Sequence, residues 1–238
     1  MRSGGNESMD EHSVMTGRDT ILSSIRRSLG VRGDETPRRA AVANRLNQHP
    51  AGVIPARGQG DREARCDLFR TMMEQAAGTV EEIASAADVP AAVSAFLRAR
   101  NLPSSVRRGD DPRLAAMPWG RERTLEVTTG PSDGNQLVAV SHAFGGVAET
   151  GTLMLMSGQD NPTTLNFLPD THIVVLSADD VAGDYETLWQ RLREKFPGRT
   201  MPRTVNMITG PSRSADIEQT LILGAHGPRQ LHVIVVRD

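Results

Sequence analysis

The sequence has 238 residues, of which 38% are hydrophobic and 24% charged, a balance typical of a globular protein. Its formal net charge of −2 excludes the overall basic field expected of a nucleic-acid-binding protein. One cysteine, Cys66, excludes an intramolecular disulfide and any site built from cysteine ligands alone. No apolar run approaches the roughly 20 residues that span a bilayer, and the N-terminus lacks the apolar region of a secretory signal, so we expect a cytoplasmic protein without a membrane span.

The N-terminal quarter of the chain divides into a tail, one helix and a linker. Residues 1–17 are rich in Gly, Ser, Asn and acids, which predicts a disordered tail. Apolar residues at helical spacing predict a helix over Arg18–Leu29. Residues 31–60 are rich in Arg, Pro and Gly without a sustained period, which predicts a long linker. We therefore expect an N-terminal helix and linker over 18–60 and the main domain over 61–238.

Helical and strand patterns then alternate along the main domain. Continuous apolar runs such as "IVVL" and "HVIVV" are typical of strands covered on both faces, which predicts an α/β fold. The predicted helices are Asp61–Ala77, "DVPAAVSAFLRARN", Asp184–Phe196 and a short one after "GPSRSAD". The predicted strands are "TVEEI", Leu125–Thr129, Leu137–Ser141, Thr152–Met156, His172–Leu176, Val205–Thr209 and His232–Val236.

Two glycine motifs do not support the functions that their letters suggest. "GVAETGT" has the glycine spacing of a phosphate-binding loop, but Thr152 and Leu153 stand where Lys and Ser or Thr are required. "GPSDG", Gly130–Gly134, has the letters of a nucleophile elbow, but the strand pattern "NQLVAV" follows it instead of a helix. We interpret it as a polar hairpin turn.

The histidines and the cysteine give no metal signature. None of the six histidines has metal-ligand spacing to another, and Cys66 is expected on the surface or edge of a helix. The sequence therefore predicts no metal site.

Three polar, glycine-rich loops next to strands are the candidate site. The first contains Glu149 with Gly151 and Thr152, the second contains Ser212, Arg213 and Asp216, and the third contains His226 and Gly227. Ligands in open α/β sheets bind beyond the carboxyl ends of strands, so these loops predict a shared ligand site. The backbone N–H groups of "GPSRS", at an expected helix start, can receive an anion with added charge from Arg213. The residues equally allow helix capping by Ser212 or Ser214 and simple glycine turns.

The same loops carry a resemblance to a known family. "VAETGTLML", "LPDTHIVVL", "GPSRSADIE" and "GAHGPRQLHVIVV" occur in the order found in the lactate utilization protein C family of LUD-domain proteins, over about Val106–Val236. The N-terminal "RDTILSSIRRSLG" also resembles that family, whereas Ser214 stands where the family leads us to expect Thr. The resemblance implies a three-layer α/β/α fold like that of NagB, RpiA and the CoA transferases.

The resemblance also implies a role in oxidising L-lactate to pyruvate. It implies iron–sulfur and oxidoreductase subunits as partners, with the clusters on those partners and no redox cofactor in this chain. It supplies no catalytic residue, so whether the chain is itself an enzyme stays open. One alternative is an enzyme of the CoA-transferase-like fold with Glu149 as nucleophile and the N–H groups of Gly151 and Thr152 as oxyanion donors. Another is a small-anion sensor, and a homo-oligomer is left open.

Overall fold

A computed structural model describes residues 16–214 and 222–238 of the chain. The predicted tail up to residue 15 and the predicted short helix after "GPSRSAD" lie outside the described residues. The chain divides into two compact units, Met1–Gly52 and Val53–Asp238.

The described part of the first unit, residues 16–52, contains two helices, of which the sequence pattern predicts one. Helix α1, Gly17–Ser28, begins at a capping box in which the Asp19 N–H donates to Thr16 Oγ1 at 3.2 Å and the Thr16 N–H donates to Asp19 Oδ2 at 3.2 Å. Helix α2, Thr36–Gln48, lies inside the segment predicted as a linker, so that prediction is wrong there. Its Ala, Arg and Leu residues have high helix propensity and a proline in its first turn favours initiation, whereas its large apolar residues, Val42 and Leu46, are too few for a sustained pattern.

The second unit contains every described element that the sequence predicts for the main domain, and several short ones that it does not. Its helices are α3 Arg62–Gln75, α4 Val89–Ala99, α5 Pro112–Ala115 and α6 Tyr185–Lys195. Its strands are β1 Thr79–Ile83, β2 Ser105–Arg108, β3 Glu126–Thr129, β4 Val138–His142, β5 Gly145–Val147, β6 Thr152–Met156, β7 Thr171–Ser177, β8 Val181–Ala182, β9 Val205–Ile208, β10 Arg213–Ser214, β11 Ile222–Leu223 and β12 Gln230–Val236. None of the helices in the described part of the chain has the length and apolar character needed to cross a membrane.

The strands form a large parallel sheet, a small mixed sheet and a two-stranded ribbon. The large sheet has the order β1-β12-β7-β4-β2-β3, and all its neighbours are parallel. The small sheet has the order β8-β5-β6-β9, in which only β5 and β8 are parallel. Strands β10 and β11 pair antiparallel with each other.

The segment between β3 and β4 corrects one prediction. Strand β2 lies between β3 and β4 and is parallel to both, so "GPSDG" begins a crossover and the predicted hairpin turn is wrong. Gly, Pro and Asp signal a change of chain direction, but they do not determine which strand lies next in the sheet. Residues 130–137 contain no helix, which agrees with the rejection of a nucleophile elbow.

Helices cover both faces of the large sheet, which confirms the α/β prediction. Helices α4 and α5 pack on one face, through buried residues that include Val93, Leu97 and Leu114. Helix α3 and the small sheet cover the other face, and the buried residues there include Phe69, Met73, Leu153 and Val174. Helix α6 then packs on the outer face of the small sheet through Leu188. The interposed small sheet was not predicted, because its strands β5 and β8 have only three and two residues.

Cys66 belongs to this core. It is 3% exposed and shares the buried face of α3 with Phe69 and Met73, so the expected place on the helix surface is wrong. Burial raises the pKa of its thiol, which disfavours the reactive thiolate.

Candidate ligand pocket and flanking polar clusters

Glu149 lies in the turn that joins β5 to β6. The residue is only 6% exposed, and its backbone N–H donates to the Gly183 carbonyl at 3.3 Å. Its carboxylate receives no hydrogen bond or ion pair from the residues 16–214 and 222–238. Its carboxylate oxygens are not among the buried atoms that lack a partner, so they keep contact with solvent although most of the residue is buried.

Gly151 has a steric role in the same turn. Its φ of +65° lies in the left-handed region, and a Cβ atom there would overlap the backbone of Met72 and Met73 in α3. Gly151 therefore allows the turn to approach α3, and its predicted ligand-binding role stays a prediction.

Thr152 is the centre of a cluster of hydroxyl groups. Its Oγ1 lies 2.7 Å from Thr150 Oγ1, 2.7 Å from the Tyr185 hydroxyl and 2.6 Å from Thr209 Oγ1. Thr152 is 1% exposed. The cluster joins the β5–β6 turn, the start of α6 and the end of β9, and Thr209 connects it to a pocket.

That pocket lies between the two sheets and has a volume of about 250 Å³. The structure brings Ser212, His226 and Gly227 together in its wall, as the sequence predicts, with Thr209 beside them. Ser212 Oγ accepts a hydrogen bond from the His226 N–H at 3.3 Å, and the Ser212 N–H donates to the Pro228 carbonyl at 2.9 Å. Glu149, Gly151 and Thr152 do not line this pocket. The ligand-binding roles of the predicted residues stay predictions.

The pocket occupies the end of the large sheet opposite to the one expected. His172 and Leu231, which line it, are the second residues of β7 and β12, so it lies at the amino ends of these parallel strands. The expectation that ligands bind beyond the carboxyl ends of strands describes a single open sheet. Here part of the pocket wall comes from the small sheet, through Ile208 at the end of β9 and Thr209 just after it.

The second predicted loop also differs from expectation. Arg213 and Ser214 form β10 and pair with β11, so "GPSRS" is not the first turn of a helix and does not provide the expected anion site at a helix start. Arg213 is exposed and does not line the pocket. Asp216 lies outside the described residues.

Sequence reasoning missed a chain of three buried polar residues at the pocket. The Ser141 hydroxyl donates to Asn166 Oδ1 at 3.4 Å, and His172 Nε2 lies 3.0 Å from Ser141 Oγ. His172 is 0% exposed, and burial lowers its pKa to about 3, so the ring is neutral. His172 Nδ1 has no hydrogen-bond partner among the described residues. A polar residue at the head of the apolar run "HIVVL" is the signal that could have identified it.

The carboxyl end of the large sheet holds a second polar cluster. Asp111 is 2% exposed and accepts from Arg113 Nε at 3.0 Å, Arg113 Nη2 at 2.8 Å and Asn161 Nδ2 at 3.0 Å. Burial disfavours the charged carboxylate, but the hydrogen bonds from Arg113 and Asn161 outweigh it and hold the pKa of Asp111 well below its usual range. Both carboxylate oxygens are thus occupied.

His142 completes that cluster. Its Nδ1 lies 2.8 Å from the Ala143 carbonyl, and because a carbonyl only accepts, Nδ1 carries the proton. Arg113 Nη1 donates to the same carbonyl at 3.3 Å. Burial and the nearby Arg113 charge lower the pKa of His142 to about 4. The cluster joins the segments that follow β2 and β4 and acts as a structural clamp. Across the described residues, no three His, Cys, Asp or Glu side chains are grouped as metal ligands.

Comparisons with known proteins place this geometry in a family. The chain matches the LUD domain over residues 66–236. It is 34% identical over 146 residues to the Lactate utilization protein C of Geobacillus thermodenitrificans, which covers 54% of this chain and 61% of that protein. It is 37% identical over 93 residues to the Lactate utilization protein C of Bacillus subtilis, covering 39% of each. The matched regions thus span less than two thirds of these relatives.

A solved structure supports the fold. The crystal structure of a DUF162 family protein from Deinococcus radiodurans superposes with a TM-score of 0.54, covering 74% of this chain and 99% of that one. The two sequences are 19% identical, so the similarity concerns the fold alone.

Proposed function

Since this chain belongs to the LUD domain family, we propose that it acts in lactate utilization, as a subunit of a system that oxidises L-lactate to pyruvate. The family match covers residues 66–236 and confirms the resemblance inferred from the four sequence motifs. The relatives named Lactate utilization protein C carry the proposal, since they are 34% identical over 146 residues and 37% identical over 93 residues to this chain.

We place the electron-carrying centres on partner proteins. An iron–sulfur cluster is normally held by four ligands, most often cysteine thiolates. This sequence has one cysteine, and Cys66 lies buried in the core. Iron–sulfur and oxidoreductase subunits are therefore the proposed partners, and the cytoplasm is the proposed location.

Growth on lactate tests the role. A strain without this protein should fail to grow on L-lactate as the only carbon source and should grow normally on glucose, and the wild-type chain should restore growth. Affinity capture of the tagged chain from lactate-grown cells should recover iron–sulfur subunits. Normal growth of the deletion strain on lactate would refute the role, and lactate oxidation by the purified chain alone would refute the need for partners.

A second candidate is an enzyme that uses Glu149 as nucleophile. The observation that favours it is a largely buried glutamate whose carboxylate reaches solvent and has no partner among the residues that the structure describes. An unpaired carboxylate is free to attack a carbonyl carbon, as carboxylate nucleophiles do. Glu149→Gln keeps the shape and removes the nucleophile, and Glu126→Gln changes an exposed glutamate as a matched control. If Glu149→Gln supports growth on lactate as well as Glu126→Gln does, this enzyme is excluded.

A further inference from the structure

The pocket at the amino ends of β7 and β12 contains an incomplete hydrogen-bond chain. The Ser141 hydroxyl uses its proton on Asn166 Oδ1, so its lone pair accepts the proton of His172 Nε2. The neutral His172 ring then has a bare lone pair on Nδ1, which no described residue satisfies. Eight buried side-chain atoms of the described residues have no hydrogen-bond partner, and of these only His172 Nδ1 belongs to a residue that lines this pocket. Buried polar atoms are usually paired, so a ligand that donates to this atom would complete the chain.

Asn166 supplies the complementary group. With Oδ1 facing Ser141, its Nδ2 is a donor in a residue that is 5% exposed and lines the same pocket. The pocket wall thus contains one acceptor, His172 Nδ1, and one donor, Asn166 Nδ2; since His172 is 0% exposed, a ligand that reaches Nδ1 must displace the atoms that now enclose it. Reversing the chain, with Asn166 Nδ2 donating to Ser141 and Ser141 donating to His172, would exchange the two groups and still leave one donor and one acceptor.

The other residues that line the pocket disfavour a charged ligand. None of the described lining residues is Lys, Arg, Asp or Glu. Apolar surfaces surround the polar pair, from Phe167, Ile208, Pro211, Pro228 and Leu231. An anion such as lactate or pyruvate would lose its hydration here without gaining a cationic partner, which is costly.

We propose that this pocket binds an uncharged, flat ligand through the edge of a carboxamide or lactam, whose N–H donates to His172 Nδ1 and whose carbonyl accepts from Asn166 Nδ2. The volume of about 250 Å³ lies below the ~300–1,000 Å³ typical of drug-sized ligands, so it suits a single ring system with its amide. The inference goes beyond the lactate role and does not depend on it.

Matched pairs of small probes test the ligand class. Nicotinamide and benzamide should give saturable shifts of the His172 imidazole signal in ¹⁵N NMR of the full chain, with dissociation constants on the order of 1 mM. Nicotinate and benzoate have the same rings but carry a charged carboxylate with no donor. We expect them, and lactate, to bind at least about 10-fold more weakly, since an unpaired buried polar group costs about 1–3 kcal/mol.

Two variants locate the binding. Asn166→Asp is isosteric, keeps an acceptor for Ser141 and removes the donor, so it should weaken nicotinamide binding about 10-fold or more. His172→Leu removes the acceptor and should abolish the amide-dependent shifts of the backbone amide signals of Asn166 and Thr209, which serve as the readout where the imidazole is absent. His142→Leu changes a buried histidine outside the pocket and should bind nicotinamide as the wild type does. Thermal unfolding of each variant identifies any that fails to fold, and Asn166→Asp still tests the proposal if His172→Leu fails.

Three results would overturn the proposal: no shift at His172 with either amide up to about 50 mM, equal binding of amides and acids, or undiminished binding to Asn166→Asp. None of these results bears on growth on lactate, so the ligand class and the lactate role fail separately.

Discussion

Each end of the large parallel sheet holds a polar cluster around a buried, neutral histidine, His142 at one end and His172 at the other, and the two clusters differ in how completely their polar atoms are paired. At the carboxyl ends, His142 Nδ1 donates to a carbonyl and both oxygens of Asp111 accept hydrogen bonds. At the amino ends, His172 Nδ1 has no partner among the described residues. A completed network stabilises the fold and leaves little for a ligand, whereas an incomplete one costs stability until a ligand or water completes it. Burial and a low pKa alone therefore do not identify a ligand site here.

The largest effect is expected from breaking the completed cluster. Asp111→Ala removes the acceptor of Arg113 and Asn161 and leaves their donors without a partner. Because the Arg113 side chain is 44% exposed and can be hydrated in part, we expect a loss of about 2–3 kcal/mol in the free energy of unfolding, below that of a fully buried pair. Urea denaturation measures it.

Asp110→Ala is the matched control. Its side chain is 73% exposed and lies 3.8 Å from Arg108, so the substitution should change stability by less than about 0.5 kcal/mol. Equal losses for the two alanine variants would show that Asp111 is not part of a stabilising cluster.

Counted per histidine and per pH unit, the pH dependence of stability is next in size, and it should be shared by both ends. Burial lowers the pKa of His142 to about 4 and that of His172 to about 3, from 6.5. Below pH 6.5 the unfolded chain therefore binds protons that the folded chain does not, and the free energy of unfolding falls as the pH drops from 6.5 towards 4. Each histidine contributes up to about 1.4 kcal/mol per pH unit, and His232, lowered to about 4, adds to the same trend.

Urea titrations between these pH values, on the wild type, His142→Leu and His172→Leu, check this. Each substitution should reduce the slope of stability against pH by a similar amount. A slope that does not change in one variant would mean that the histidine is already charged in the folded protein.

At neutral pH the two leucine variants should differ from each other. His142→Leu loses the hydrogen bond from Nδ1 to the Ala143 carbonyl, and the Arg113 Nη1 donor still satisfies that carbonyl. We expect a loss of about 1 kcal/mol, the usual net value of one such bond. Urea denaturation at pH values above 6.5 isolates this loss from the proton linkage. A gain in stability would contradict the stabilising role of the His142 hydrogen bond in this cluster.

His172→Leu should have the smallest effect. It loses the bond to Ser141, but it also removes the unpaired Nδ1, and these changes oppose each other. We expect stability within about 0.5 kcal/mol of the wild type, together with the loss of amide binding. A loss as large as that of His142→Leu would indicate that Nδ1 has a partner in the folded protein.

Local patterns predicted the elements that are long and periodic. The apolar runs of β7 and β12 and the helical spacing of α3, α4 and α6 identify these elements within a few residues of their bounds. Short strands such as β5 and β8 have too few residues for a period, and α2 has only two large apolar residues, Val42 and Leu46, to show one. The pairing of these strands, which builds the small sheet, depends on residues distant in sequence.

The candidate site was predicted only in part for the same reason. Glycine and polar residues in loops identified Ser212, His226 and Gly227, which do meet in one pocket. His172 lies inside an apolar strand, and its importance arises from contacts with Ser141 and Asn166, 31 residues earlier and six residues earlier in the chain. Arg113 and Asp111 are close in sequence, but their link to Ala143 required the adjacent strands β2 and β4.

The sequence by itself determined the α/β class, the long helices and strands, and the family, because periodicity and motifs are local properties of the chain. Only the tertiary structure decided which polar atoms find partners. The pairing of β4 with β7 brings Ser141 close to His172, and the packing of the small sheet against the large one forms the pocket wall that His172 and Thr209 share. Whether a polar atom finds a hydrogen-bond partner depends on which residues are its neighbours in three dimensions. This pairing distinguishes the clamp at one end of the sheet from the candidate ligand site at the other.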